Sequence, residues 1–363
     1  MKIAMIGQKS IPGIYGGIDK HVEELSIRIA SKGHEVLVYN RPHYSSVKGQ
    51  WHGITVKNIP SIPTKSLETI THTFLCSLDV LIQKVDIVHF HGIGQSVFSF
   101  IPGLFNKKTV VTLHGLGWQE RKWGRISRGL LKVGEYTAPR FPHKTTVVSK
   151  LLKEYYKNKH NKEVIWIPNG VETSEPVIIN KIKKYGLTKD GYILFVGRLT
   201  QDKGCHYLLE AFNQINGELT LVIAGDSSYT DVYTASLKKY QNEKVLFLGQ
   251  VDKEILAELY SNAYLYVHPS EVEGMSLALL EAMSYGNCVL VSNIPENLEV
   301  INGYGYTFGN KDSKDLQGML RQLLENKKMV NAKKEGAKRH VLTNYSWDKI
   351  VNMYEELYCS LLK

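Results

Sequence analysis

At 363 residues the chain exceeds one ordinary core and suits two domains. Hydrophobic residues make up 43% and charged residues 22% of it, a balance that excludes a disordered or fibrous chain. The net charge of +10 lies wholly in the first half, where residues 1–180 hold 24 Lys/Arg against 13 Asp/Glu; residues 181–363 hold 21 against 22. That half should meet an anion: nucleic acid, a phosphorylated acceptor or an anionic membrane would each fit.

The opening MKIAMIG has neither a long apolar region nor a small-residue cleavage site, and reads as a first strand. No stretch approaches the roughly 20 apolar residues of a membrane helix. Strands are expected at Ile3–Ile6, Glu35–Val38, Asp86–Val88, Thr109–Thr112 and Thr145–Val148, with helices at 19–32, 66–82, 119–135 and 149–158 between them. Pro168-Asn169-Gly170-Val171-Glu172 and the polar stretch after it mark a boundary. The cycle then restarts at Tyr192–Val196 and continues through Leu219–Ala224, Val245–Leu248, Leu265–His268 and Cys288–Ser292. The last segment, from Tyr345, is amphipathic and reads as a final helix. Alternating strands and helices predict an α/β fold of two doubly wound, Rossmann-like domains, with ligands at the strand C-terminal edges. The expected boundaries are 1–172, a linker at 173–190, 191–342, and a C-terminal helix at 343–363. Cys76, Cys205, Cys288 and Cys359 lie too far apart for a zinc site or a disulfide framework, which points to a reducing, cytoplasmic setting.

Within SEVEGMSLALLEAM (270–283) Glu281 interrupts an apolar helical run, and an unpaired carboxylate is costly there. Ser270 and Glu273 fit a capping box at a helix N-terminus. A helix starting near Met275 would offer the N–H groups of Gly274, Met275, Ser276 and Leu277 to an anion. Eight helical residues rise roughly 12 Å, about the length of a diphosphate with a diol-bearing group at each end. A nucleoside diphosphate sugar has that shape. His89 and His91 share one strand face, but no third ligand has a helpful spacing, so a core or strand-edge role is expected and no metal site. No D-x-D occurs to bring a metal to a diphosphate. Asp252 could read a base or cap the helix 253–262.

The E-x7-E spacing of Glu273 and Glu281 resembles the signature of retaining glycosyltransferases of family 4, which have the GT-B fold. FVGRLTQDKG (195–204) resembles the family's G-R-L-x(3)-K-G segment, and IPNGVE (167–172) its interdomain P-N-G-V. Residues 11–36 look like the opening of members that build bacterial surface polysaccharides; FLGQV (247–251) and YSW (345–347) match as well. The resemblance spans essentially the whole chain. It implies two Rossmann-like domains facing across a cleft, with the C-terminal helix crossing back.

For the site, the resemblance implies that Glu281 meets ribose hydroxyls and Glu273 the donor sugar. Arg198 and Lys203 would hold the diphosphate, and Gly16 and Gly17 would let backbone approach it. Val251 would complete the donor pocket, and His114, at the end of TLHG, would lie beside the reacting carbon. The alternatives are solvated charges for Arg198 and Lys203, a glycine turn at 16–17, and a turn histidine at 114. The donor would be a UDP- or GDP-linked sugar, used without a metal or other cofactor. The acceptor would be a glycan or a polyprenyl-diphosphate-linked chain, in a hexosyl- or deoxyhexosyltransferase of polysaccharide synthesis. Residues 118–144 carry seven Lys/Arg and two Glu among Trp118, Trp123, Tyr136 and Phe141. Arg121, Lys122, Trp123, Arg125, Arg128 and Lys132 would thus form an acceptor or membrane surface, or a solvated basic face. Nucleic acid is not an expected partner. Other readings are a nucleotide-sugar epimerase of GT-B shape and a non-catalytic sugar-nucleotide-binding subunit; an oxidoreductase would need G-x-G-x-x-G after the first strand, which GQKSIPGIYGG does not supply.

Overall fold

The computed structural model describes residues 1–64, 67–120, 123–226 and 231–363. The chain forms two compact units: Met1–Gly170 with Trp347–Lys363, and Val171–Ser346.

The first unit begins with β1 (Lys2–Ile6), α1 (Gly17–Ser31) and β2 (Glu35–Asn40), followed by the strands β3 (Gly49–Trp51) and β4 (Ile54–Asn58). Next come α2 (Glu68–Ile82), β5 (Ile87–His91), α3 (Phe100–Leu104), β6 (Lys108–Leu113), α4 (Arg125–Thr137), β7 (Lys144–Val147), α5 (Lys150–His160) and β8 (Ile165–Trp166). The eight strands lie in the order β3-β4-β2-β1-β5-β6-β7-β8, parallel except for the β3–β4 pair. Since β2 lies on one side of β1 and β5 on the other, the winding reverses between β1 and β5. At such a switch point the loops beyond the strand C-termini diverge and leave room for a ligand.

The second unit contains β9 (Tyr192–Val196), α6 (Cys205–Phe212), β10 (Thr220–Ala224), α7 (Asp231–Lys238), β11 (Val245–Gly249), α8 (Lys253–Asn262), β12 (Leu265–His268), α9 (Leu277–Ser284), β13 (Val289–Ser292), α10 (Pro295–Ile301), β14 (Tyr306–Phe308), α11 (Ser313–Glu325) and α12 (Lys327–Tyr345). Its all-parallel sheet runs β11-β10-β9-β12-β13-β14, with the switch point between β9 and β12. Strands of near-continuous Val, Ile and Leu are those of a sheet covered on both faces. Residues 173–190, expected as a linker, belong to this unit. Ile182 is fully buried, and the Glu258 carboxylate accepts N–H bonds from Asn180, Lys181 and Ile182 at 2.9–3.1 Å.

The last helix, α13 (Trp347–Leu362), returns to the first unit. Its Trp347, Ile350, Val351, Tyr354, Leu357 and Tyr358 pack in one cluster with Ile3 and Met5 of β1 and Val22 and Leu25 of α1. A side chain at Gly170 would strike the Trp347 ring, its Cβ lying 2.4 Å from a ring carbon. The glycine of P-N-G-V is therefore needed where α13 docks. Among the described residues no helix is long and apolar enough to cross a membrane.

Candidate functional site

In the second unit the loops at the switch point bring charge together. Lys203 lies on the short turn after β9, and Glu273 on the loop between β12 and α9. Gly204, at φ +67°, makes the approach possible, because a Cβ there would lie 1.9 Å from the Pro269 carbonyl oxygen. The Lys203 Nζ meets Glu273 Oε1 at 2.5 Å, the two side chains being 18% and 7% exposed. The His268 Nε2 lies 3.0 Å from the same oxygen and 3.1 Å from the Ser270 hydroxyl, while its Nδ1 lies 3.2 Å from the Tyr266 hydroxyl. Burial opposes ionisation of Glu273, yet the Lys203 ammonium and the His268 hydrogen bond outweigh it and hold the carboxyl well below the usual carboxylate range. Glu273 is thus an oriented, charged acceptor with its second oxygen outside this network.

The capping box is not formed. Ser276 caps α9, its hydroxyl accepting the Leu279 N–H at 3.3 Å, and Glu273 turns instead to Lys203 and His268. The helix begins at Leu277 rather than near Met275. Only four residues of helix, roughly 6 Å of rise, separate Leu277 from Glu281. Gly274, Met275 and Ser276 form the approach to α9, with Met275 and Ser276 buried. Glu281 is half-buried on α9, close to the phenol of buried Tyr260, which donates to the Ala278 carbonyl at 3.3 Å and whose pKa burial and then the Glu281 charge drive upward. Its interruption of an apolar helix is partly relieved within the protein. Arg198 follows β9, half-buried, and Val251 lies between β11 and α8. Asp252 is the N-cap of α8, its Oδ1 accepting the Ile255 N–H at 2.8 Å.

Sequence reasoning passed over His268 and Glu271. Buried Glu271 accepts the Tyr207 hydroxyl at 2.9 Å and pairs with Lys311 at 3.2 Å. The available signal was a polar run, His268 to Glu273, at the end of a buried strand beside the switch point.

In the first unit, Gly16 precedes α1 and Gly17 begins it; no side chain caps this N-terminus. His114 immediately follows β6. Its Nε2 lies 3.3 Å from the Nδ1 of His91, the last residue of β5. His21, on the buried face of α1, comes within 4.8 Å of the His114 ring centre. The third histidine beside His91 and His114 comes from α1 across the switch point, a proximity that no sequence interval reports. One nitrogen from each of the three lies within 4.8 Å of the others. Burial holds His21 down at about 4 and keeps His91 and His114 well below the usual histidine range, so the rings are neutral at pH 7. His89 has the core role expected, with Tyr358 and Thr112 hydroxyls at 2.7 Å from its two nitrogens.

The helix expected over 119–135 starts at Arg125. Arg125, Arg128 and Lys132 are exposed on α4, beside exposed Ile126, Leu130 and Val133. Trp123 is half-buried just ahead of it; Arg121 and Lys122 lie outside the described residues. The four cysteines are free thiols, three of them buried.

Known proteins match this organisation. A family model described as Glycosyltransferase Family 4 matches residues 15–175, and one described as Glycosyl transferases group 1 matches residues 177–340. An uncharacterized glycosyltransferase of Methanocaldococcus jannaschii is 31% identical, over 98% of both chains. Among solved structures, a sucrose-phosphate synthase from Thermosynechococcus elongatus superimposes with a TM-score of 0.85 at 21% identity, over 99% of both chains. Anabaena HepE in complex with UDP and glucose gives 0.83 at 18% identity, over 99% of this chain and 100% of that one. Two switch-point sites on two parallel sheets, family models covering both halves and a full-length relative agree: the chain belongs to the glycosyltransferases of GT-B fold, with a family 4 N-terminal domain and a group 1 C-terminal domain.

Proposed function

We propose that this protein is a retaining glycosyltransferase that moves a hexosyl or deoxyhexosyl group from a nucleoside diphosphate sugar to a glycan or polyprenyl-diphosphate-linked acceptor in surface polysaccharide synthesis. The observation that carries the donor half is the Lys203–Glu273–His268 cluster at the second unit's switch point. Glu273, held ionised and oriented, suits hydrogen bonds from sugar hydroxyls. A lysine has three N–H donors, so Lys203 can face Glu273 with one and diphosphate oxygens with the others, aided by Arg198. The N–H groups at the start of α9 add positive potential for the same phosphates. Glu281, whose charge bears on the nearby Tyr260 phenol, has acceptor capacity for a ribose diol. HepE was solved with UDP and glucose, which favours UDP over GDP here.

Glu273 is engaged by two partners and is poorly placed to serve as a free nucleophile, which supports front-face attack over a covalent intermediate. In that step the anomeric carbon–phosphate oxygen bond breaks as the acceptor oxygen bonds to the same face. The acceptor proton passes to the leaving diphosphate. His114, kept neutral, would offer a hydrogen bond beside the reacting carbon. The exposed basic and apolar stripes of α4 support docking on an anionic membrane surface, where a lipid-linked acceptor would reside, at the cytoplasmic face.

The test is a thermal-shift panel of UDP, GDP, dTDP and ADP sugars followed by turnover with the responding donor. A ligand at 100 times its Kd stabilises by about 2.7 kcal/mol, enough to read the base and then the sugar. Glu273→Gln, which keeps shape and removes charge, should lower kcat by about 10²-fold or more. Undiminished turnover in that variant would remove the site assignment, and an inverted anomeric product would remove the retaining mechanism.

A further inference from the structure

We infer that His21, His91 and His114 form a binding site for a zinc-like divalent cation in the first unit. His21 and His91 are fully buried, and His114 is partly exposed at the strand edge. The contrast with His89 is informative. His89 lies on the same strand face as His91, and hydroxyls bond both its nitrogens. His21 is equally buried, yet neither of its ring nitrogens has a hydrogen-bond partner; the Asn169 amide comes near without completing a bond of normal geometry. Buried polar atoms are satisfied in the great majority of cases, and an imidazole with two open nitrogens needs a reason to sit in so packed a place as this. Held by Trp347 and Tyr354 at ring distances of 5.5 and 5.9 Å, His21 is aimed at the other two by its own helix.

The geometry suits a cation bound by imidazole. Two nitrogens at about 2.1 Å from one zinc ion, at a tetrahedral angle, lie about 3.4 Å apart. His91 Nδ1 and His114 Nε2 already stand 3.3 Å apart. The widest pair in the trio is within 4.8 Å, so closure asks for a shortening of at most roughly 1.4 Å. Magnesium and calcium need oxygen ligands, and the trio offers none; imidazole selects zinc and its neighbours. Three protein ligands leave a fourth position, which the exposed side of His114 opens to water. A bound ion takes the lone pair of His114, so zinc should inhibit transfer. That consequence rests on the role proposed for His114, whereas cation binding does not.

Cobalt(II) added to the metal-free full-length chain reads the site directly. One equivalent should bind, give the visible absorption of a four- or five-coordinate nitrogen-ligated ion, and be displaced by zinc. His21→Phe keeps the ring packing against Trp347 and Tyr354, and should weaken binding at least tenfold with an unchanged circular dichroism spectrum. Failure of the wild-type chain to take up one equivalent of cobalt or zinc overturns the site, whatever the variants do. So does full-strength binding in both His21→Phe and His91→Phe. Stoichiometric binding without inhibition supports the site and removes the role of His114 instead.

Discussion

The carboxylate of Glu273 is stabilised by two partners against the cost of its own burial, and this makes the second unit sensitive to acid. Its folded pKa is lowered from the ordinary glutamate value of 4.5. A group of that kind contributes stability above its unfolded pKa and loses it as pH falls below that value toward the folded one. Removing one partner of a buried ion pair costs roughly 3 kcal/mol at neutral pH, because the other charge is left unpaired. Glu273→Gln should therefore be less stable than wild type by that order at pH 7, and the gap should narrow as pH falls from 4.5 toward 3. Calorimetric melting of both proteins at half-unit pH steps measures this; a gap independent of pH would mean that the carboxylate carries no net linkage. The residue was legible in the sequence, but its partner was not. The E-x7-E spacing singled out Glu273 and Glu281, while the local S-x-x-E pattern suggested a cap that Ser276 in fact supplies. His268 is only five residues from Glu273, but Lys203 reaches it only because β9 and β12 are sheet neighbours, and adjacency of that kind is a property of strand order rather than of sequence interval.

At the scale of the element, α4 shows what periodicity reports well. Ile126, Leu130 and Val133 recur at helical spacing, as do Arg125, Arg128 and Lys132, and all six are exposed. The buried side is narrow, formed by Gly134, Glu135 and Thr137 near the C-terminal end. Glu135 is anchored there by the Tyr155 hydroxyl at 2.8 Å and by His160 at 2.6 Å. An exposed helix with basic and apolar stripes side by side suits the surface of an anionic bilayer. Each Lys or Arg near such a surface contributes about 1 kcal/mol, so replacing Arg125, Arg128 and Lys132 together by Gln should weaken binding to phosphatidylserine-containing vesicles by about 100-fold. Co-sedimentation at low and high salt measures it, and equal binding by both proteins would assign α4 to solvent. The helix itself was readable from sequence, but its start was not: the expected span of 119–135 began ahead of Arg125, where α4 starts. Four strands were also missed: β3, β8 and β14, of two or three residues each, are too short for a clear alternation, and β4 (Ile54–Asn58) went with them.

At the scale of the whole molecule, each sheet repeats a local strand–helix unit, and such units declare themselves in sequence because every partner is close along the chain. The last helix does not obey that rule. Its amphipathic pattern says that one face must be covered, and the resemblance said it would cross back; only the packing says which core it completes. Trp347 is 5% exposed within the first unit's cluster, beside His21, and lies under Arg28 at 5.4 Å. Tyr358 bonds His89 at 2.7 Å, and Tyr354 bonds Thr112 at 3.1 Å, so α13 satisfies polar groups of β5 and β6 as well as apolar ones. On the outer edge Glu355 pairs with Lys32 at 2.5 Å and with His34 at 2.8 Å. The residues nearest the C-terminus therefore hold together strands from the first third of the chain. Trp347→Ala should cost about 3–5 kcal/mol, the range for emptying a large aromatic from a core. The loss should fall on the first unit alone, because the nearest packed neighbours of Trp347 belong to it. Hydrogen exchange separates the two outcomes: protection should drop at β1, β5 and β6 and stay unchanged at β9 and β12. A drop shared equally by both sheets would show the two units unfolding as one cooperative body, and α13 would then be a clamp on the whole chain rather than the last element of its first core.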